Sequence, residues 1–219
     1  MPRLARLVVP GVPHHVTQRG NRRQKVFFSL EDHRFYLGLL GRHCAEAGTA
    51  ILAWCLMPNH VHLLLVPAHA DGLRAAMAET HWRYTRAVNA REGWSGHLWQ
   101  ERFGSFAMDE AYLLACARYV ELNPVRAGLA ARPEQWMWSS ARAHLGLGAD
   151  GLTDTAPLLD RWPDWRAVLD DGLDPEALDA IRKRELNGHP LGGPEFLARL
   201  AALTSRPLAA RARGRPRIS

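Results

Sequence analysis

The hydrophobic pattern along the chain switches between strand-like and helix-like stretches. Residues 12–19, VPHHVTQR, read as a first strand bounded by Gly11 and Gly20. Residues 30–47 carry the helical pattern, with Ser29 as a natural N-cap, Asp32 three residues on, and Gly48 at the end. Two short apolar runs follow, 49–56 (TAILAWCL) and 60–66 (HVHLLLV), separated by Met57-Pro58-Asn59, which predicts a hairpin. A second helix spans 72–90, and Gly93 to Gly96 form a turn. Residues 97–108, HLWQERFGSFAM, read as a fourth strand, kinked or bulged at Gly104. A third helix begins near Asp109 and runs through Tyr119 towards Asn123, where Pro124 and Gly128 break it.

The order β-α-β-β-α-β predicts an α+β fold, a ferredoxin-like or RRM-like antiparallel sheet. Two helices cover one face, and the other is free for the tyrosine-bearing helix or a ligand. Such a topology fixes no function. Beyond about 150 the pattern changes to short helices separated by Pro and Gly. The clearest runs from Pro175 to Leu186 with Asp174 as its cap, and another runs from Pro194 to Leu203. The chain therefore divides into a domain at 1–148, a helical extension at 149–205 and a basic tail at 206–219. That tail holds five arginines, two prolines and no acid, so it cannot build a core and is expected to order only on binding.

Composition narrows the class. With 47% hydrophobic and 23% charged residues, the chain reads as globular. No run approaches the ~20 apolar residues of a membrane span. Arg3 and Arg6 are followed by no apolar signal core, so a cytoplasmic, nucleoid-associated protein is expected. Cys44, Cys55 and Cys116 are isolated in apolar contexts, with no CxxC zinc signature, and are expected to be buried thiols. The net charge of +6 favours a nucleic-acid partner. Only Lys25 and Lys183 among the 28 basic residues are lysine. Arginine grips phosphate with a planar fork, although a GC-rich genome produces the same bias.

Two elements carry chemistry. His60-Val61-His62 opens an apolar strand, and alternation places both imidazoles on one face, within about 7 Å of each other, with Val61 and Leu63 opposite. Such a pair can grip a divalent metal, and equally fits two half-buried histidines hydrogen-bonded on a sheet. In Tyr119-Val120-Glu121-Leu122-Asn123, helical spacing puts Tyr119 and Asn123 one turn apart on one face. Glu121 points away from that face and is expected to be solvated. Glu101 has no assigned role. His14 and His15 face opposite sides of the first strand, so only one can face the site, and neither is assigned as a ligand.

MPNHVHLLL (57–65) resembles the HUH motif (His, hydrophobic, His) of single-tyrosine transposases, and YVELNPVRAGL (119–129) is similar to the tyrosine helix of their REP-associated branch, named for repetitive extragenic palindromes. HHVTQRGNRRQKVFF (14–28), LWQERFGSF (98–106), WSSARAHL (138–145) and GGPEFLARL…RGRPR (192–217) resemble that branch too, in the same order. The resemblance implies that 1–148 is the catalytic domain, that His60 and His62 ligate Mg²⁺ or Mn²⁺, and that Asn123 takes the third ligand's place. It implies that Tyr119 attacks a scissile phosphate, leaving a 5′-phosphotyrosine and a free 3′-OH that can later rejoin the strand. It further implies a protein that recognises hairpin DNA, cuts a single strand beside it, and needs no small-molecule cofactor. The REP-associated branch favours a monomer, while the dimer of related insertion-sequence transposases is the alternative.

For the DNA, Arg19, Arg22, Arg23 and Lys25 crowd the loop after the first strand, and Arg102 and Arg126 are further phosphate candidates. Arg213, Arg215 and Arg217 lie in an RGRPR stretch that resembles an AT-hook, which can enter a narrow minor groove. Trp82, Trp94, Trp99 and Phe103 are candidate stacking surfaces for unpaired bases, although most of them are expected in the core, as are Trp54, Trp136 and Trp138. Two other readings compete. A histidine-triad-like nucleotide hydrolase uses a longer H-x-H-x-H strand, and position 64 here is Leu. A catalytically silent palindrome-binding protein would keep the DNA contacts and lose the cutting.

Overall fold

The computed structural model of the protein describes residues 6–205 and Leu208. Its centre is a four-stranded sheet of β1 (His14–Arg19), β2 (Thr49–Met57), β3 (His60–Pro67) and β4 (Gly104–Ala107), in the order β2-β3-β1-β4 and antiparallel throughout. With α1 (Leu30–Glu46) between β1 and β2, and α2 (Gly72–Glu92) between β3 and β4, this is the expected ferredoxin-like arrangement.

The local causes are visible at the ends of the elements. Ser29 and Asp32 form a reciprocal capping box at the start of α1. Gly93, at φ 67°, ends α2 in the left-handed conformation that a side chain resists. The expected fourth strand is shortened to four residues. Glu101 sits at φ 55°, so the segment before Gly104 turns out of the ladder and returns only as a Gly20–Trp99 bridge. The expected third helix is divided. α3 (Glu110–Glu121) stops, and α4 (Asn123–Arg126) restarts around Pro124, whose ring tolerates only a first-turn position.

Each face of the sheet builds its own core. α1 and α2 pack on Val16, Trp54, Leu63 and Leu65 from one side. α3 packs on Ala53, Cys55, Leu64 and Phe106 from the other. A bulge between Ile51 and Ala53 lets Ile51 and Trp54 serve the first core while Ala53 and Cys55 serve the second. The downstream segments, α5 (Ala141–His144), α6 (Ala156–Leu159), α7 (Trp165–Asp170) and α8 (Pro175–Asn187), wrap α3. Their Leu158, Trp165, Val168, Leu169 and Ile181 belong to the same core as Leu113, Cys116 and Val120. α9 (Pro194–Thr204) inserts Phe196 and Leu200 against Leu7, Val9 and Ala107. Cys44, Cys55 and Cys116 are buried free thiols. Among the described residues no helix is long and apolar enough to cross a membrane.

Candidate active site

The face of the sheet under α3 carries a cluster of aromatic and ionisable groups. Strand alternation places His60 and His62 on the Leu64 side, with Val61 and Leu63 opposite. Their rings meet at 4.9 Å between centroids. His15 on β1 lies beside His62, stacked within 4° of parallel, and the two share a hydrogen bond between His15 Nε2 and His62 Nδ1 at 3.1 Å. Tyr119 descends from α3 and sets its ring edge-on to His62 at 5.4 Å and to His15 at 5.7 Å. Arg126 lies 4.2 Å over the Tyr119 ring and donates to the Tyr119 carbonyl at 2.9 Å.

Glu185 of α8 closes the site. The Tyr119 hydroxyl donates to Glu185 Oε2 at 3.2 Å. Glu185 Oε1 faces His62 Nδ1 at 3.4 Å and His15 Nδ1 at 3.8 Å. Burial sets the protonation states. It lowers His15 to about 3 and His60 to about 4, and takes His62 well below the ordinary imidazole range, helped by neighbouring cationic groups. All three are therefore neutral at pH 7, the form that can offer a lone pair to a metal. Burial, with the Glu185 carboxylate nearby, pushes the Tyr119 phenol up to about 12. Burial also raises Glu185 to about 7.

Of the residues singled out in the sequence, His60, His62, Tyr119 and Arg126 come together here. Asn123 is buried at the start of α4, one turn beyond Tyr119. Arg19, Arg22, Arg23 and Lys25 are exposed on the loop leaving β1. That loop is pinned to the β2–β3 hairpin by Gly20 N–H to Asn59 O at 2.8 Å and Asn59 Nδ2 to Arg23 O at 2.9 Å. Asn59 also contacts His60 Nδ1 at 2.6 Å, so the basic loop sits next to the HUH strand. Gly20 is required there, since a Cβ would lie 2.3 Å from Gln24 O. Arg102 is exposed near Arg6. Arg213, Arg215 and Arg217 lie outside the described residues.

Trp99 and Phe103 take the core positions expected for most of the four candidate aromatics, whereas Trp82, under Arg86, and Trp94, against Phe28, remain exposed. Two other sequence expectations change. Glu121 is fully buried, because the side of α3 away from Tyr119 is covered by the downstream segments. Its carboxylate accepts from Ser140 Oγ at 2.5 Å, His144 Nδ1 at 2.7 Å and Trp165 Nε1 at 2.8 Å. His15 and Glu185 were not assigned. Alternation allowed one of His14 and His15 to face the site. His14 instead contacts the backbone of Val9 and Val12. Nothing local marks Glu185, which lies 66 residues beyond Tyr119.

A structure of a REP-associated tyrosine transposase bound to a REP hairpin has this fold, with a TM-score of 0.58 and 20% identity, over 71% of this chain and 90% of that one. A second solved structure, a transposase from Deinococcus radiodurans described as putative, aligns at 23% identity and a TM-score of 0.39. Residues 9–123, more than half of the chain, match the family described as "Transposase IS200 like". The chain belongs to this IS200-like transposase family. It is 26% identical over 108 residues to the Haemophilus influenzae protein named "Putative REP-associated tyrosine transposase", covering 44% of this chain and 61% of that one. The chain thus spans about three fifths of the length of that relative.

Proposed function

We propose that this protein is a single-tyrosine transposase of the REP-associated kind, which nicks and rejoins single-stranded DNA beside a palindromic hairpin. The observation that carries this reading is the meeting of the Tyr119 phenol with His62 under one helix, in a chain of the IS200-like family. The phenol proton leaves, the Tyr119 oxygen bonds to phosphorus, the bond to the 3′ oxygen breaks, and that oxygen takes up a proton. The product is a 5′-phosphotyrosine and a free 3′-OH. A 3′-OH can attack in reverse, because the phosphotyrosyl bond keeps the energy of the phosphodiester.

His60 and His62 hold a divalent ion in this reading, with Asn123 beside them. When bound, the ion supplies positive charge to the scissile phosphate and the leaving oxygen. The site suits such a group: neutral buried imidazoles face a carboxylate, and two polar atoms, His15 Nδ1 and Glu185 Oε1, are sealed from solvent without a hydrogen-bond partner among the described residues. Imidazole donors favour Mn²⁺ over Mg²⁺. Arg126 keeps the tyrosine ring in place from above. The loop of Arg19, Arg22, Arg23 and Lys25, with Arg102, positions phosphates next to His60, and the RGRPR tail adds a minor-groove contact. Histidines and tyrosine come from one chain, which supports a monomer as the working unit.

The test is a single-stranded hairpin substrate taken from the flanks of the gene, incubated with the protein and Mn²⁺ or Mg²⁺. A covalent protein–DNA band on a denaturing gel is expected, and Tyr119→Phe should abolish it while hairpin binding survives. Full cutting by Tyr119→Phe overturns the reading. Binding without any band supports the silent palindrome binder instead.

A further inference from the structure

Glu185 lies outside the residues matched to the family, on a helix of the C-terminal extension, yet its carboxylate is aimed into the site. Two buried atoms make its position unusual, one on a neighbour and one its own. His15 is 1% exposed, and its Nδ1 has no hydrogen-bond partner among the described residues. Glu185 Oε1 is likewise buried without one. An unpaired buried donor or acceptor is destabilising, so two such atoms facing one another need a common partner.

Their spacing identifies the partner's chemistry. Two donors each about 2.1 Å from one ion, at a tetrahedral angle, sit roughly 3.4 Å apart. Glu185 Oε1 is 3.4 Å from His62 Nδ1 and 3.8 Å from His15 Nδ1. Ligand atoms of His15, His62 and Glu185 all lie within 4.8 Å of one another. Two imidazoles and one carboxylate are a donor set for Mn²⁺, Fe²⁺ or Zn²⁺.

We infer that His15, His62 and Glu185 form a divalent-metal site, so that the C-terminal extension supplies the carboxylate ligand of the active centre. The inference rests on the proposed metal-assisted reaction and shares only His62 with the ligand set proposed there. One carboxylate oxygen faces the ion while the other keeps the Tyr119 hydroxyl in place. Ion binding draws on the same His62 nitrogen that now meets His15, so the hydrogen bond between the two rings gives way.

The measurement is Mn²⁺ affinity by electron paramagnetic resonance, without DNA, on the full chain and on Glu185→Gln, His15→Asn and His60→Ala. Melting of each metal-free variant serves as a folding control. Glu185→Gln is near-isosteric and keeps an acceptor for Tyr119. It is expected to lose at least the ~10–100-fold in affinity that even a supporting residue costs. His15→Asn should lose a similar factor. If Glu185→Gln and His15→Asn bind Mn²⁺ like the parent while His60→Ala does not, the inference fails and the proposed His60–His62 site stands. Loss in Glu185→Gln with normal binding by His60→Ala upholds the inference and removes His60 as a ligand. No Mn²⁺ binding by the parent chain overturns both.

Discussion

Glu121 is one residue on which the tyrosine helix depends without touching its chemistry. A fully buried carboxylate is tolerable only if its oxygens are saturated, and here Ser140, His144 and Trp165 saturate them. The donors come from the start and end of α5 and from the start of α7, so one side chain ties α3 to residues 19, 23 and 44 positions further on. Glu121→Ala should cost about 3–5 kcal/mol, since it strands buried donors and opens a cavity. At this chain length each kcal/mol is worth roughly 2–4 °C, so calorimetry should show a melting point lower by about 6–20 °C. A shift under about 2 °C would mean the carboxylate is replaceable. The sequence reading placed Glu121 in solvent because helical spacing shows only which face a residue shares with Tyr119. What covers the opposite face is decided by chain that arrives later. The same limit hid Glu185. His60, His62 and Tyr119 were legible because strand and helix periods fix relative facing within a single element. His15 was half legible, since alternation separates it from His14 without saying which of the two looks at the site.

At the level of elements, the caps and the hairpin are local features, and they were readable. Ser29 and Asp32 cap α1 as their spacing requires. Met57-Pro58-Asn59 turns β2 into β3 in a register that sets Met57 opposite His60. The break at Pro124 was readable too, but the short β4 was not, because Glu101 takes a left-handed conformation that its residue type does not announce. The α1 cap also reaches across to α2, where Arg91 pairs with Asp32. Burial alone would raise the Asp32 carboxyl, but the Arg91 hydrogen bonds and the Phe28 backbone N–H outweigh it and leave it below its usual value. A carboxylate with a lowered folded-state pKa contributes stability above its unfolded value of roughly 4, and loses it as pH falls through the folded value. Asp32→Asn should therefore be less stable than the parent at pH 7, by about 1 kcal/mol for a weakened cap. The gap should narrow as pH falls below about 4. Thermal melts of both proteins from pH 7 to pH 3 check this. A gap that stays constant over that range excludes the Asp32–Arg91 pair as its origin.

Across the whole molecule, the extension and the sheet domain share one core, which bears on what each stretch of chain is for. Leu158, Trp165, Val168, Leu169, Ile181 and Leu191 are all buried against α3 or its neighbours. At about 1.5–3 kcal/mol for each large apolar side chain, their contribution is comparable with the ~5–15 kcal/mol that separates a folded domain from its unfolded chain. The tail beyond 205 adds charge. Two truncations separate these roles. A chain of residues 1–205 should melt within a few degrees of the parent. Its hairpin affinity should depend less steeply on salt, the logarithmic slope falling by about 2–3 if Arg213, Arg215 and Arg217 contact phosphates. A chain of residues 1–148 should behave differently. It leaves the outer face of α3 bare and removes two donors to Glu121, Trp165 by truncation and His144 by loss of the packing that holds it. It also deletes the carboxylate that holds the Tyr119 hydroxyl. It is expected to bind a hydrophobic dye, to lose near-ultraviolet circular dichroism and to melt without cooperativity. If residues 1–148 instead melt sharply with Tyr119 ordered, the sheet domain stabilises its own tyrosine helix, and the extension acts only through Glu185.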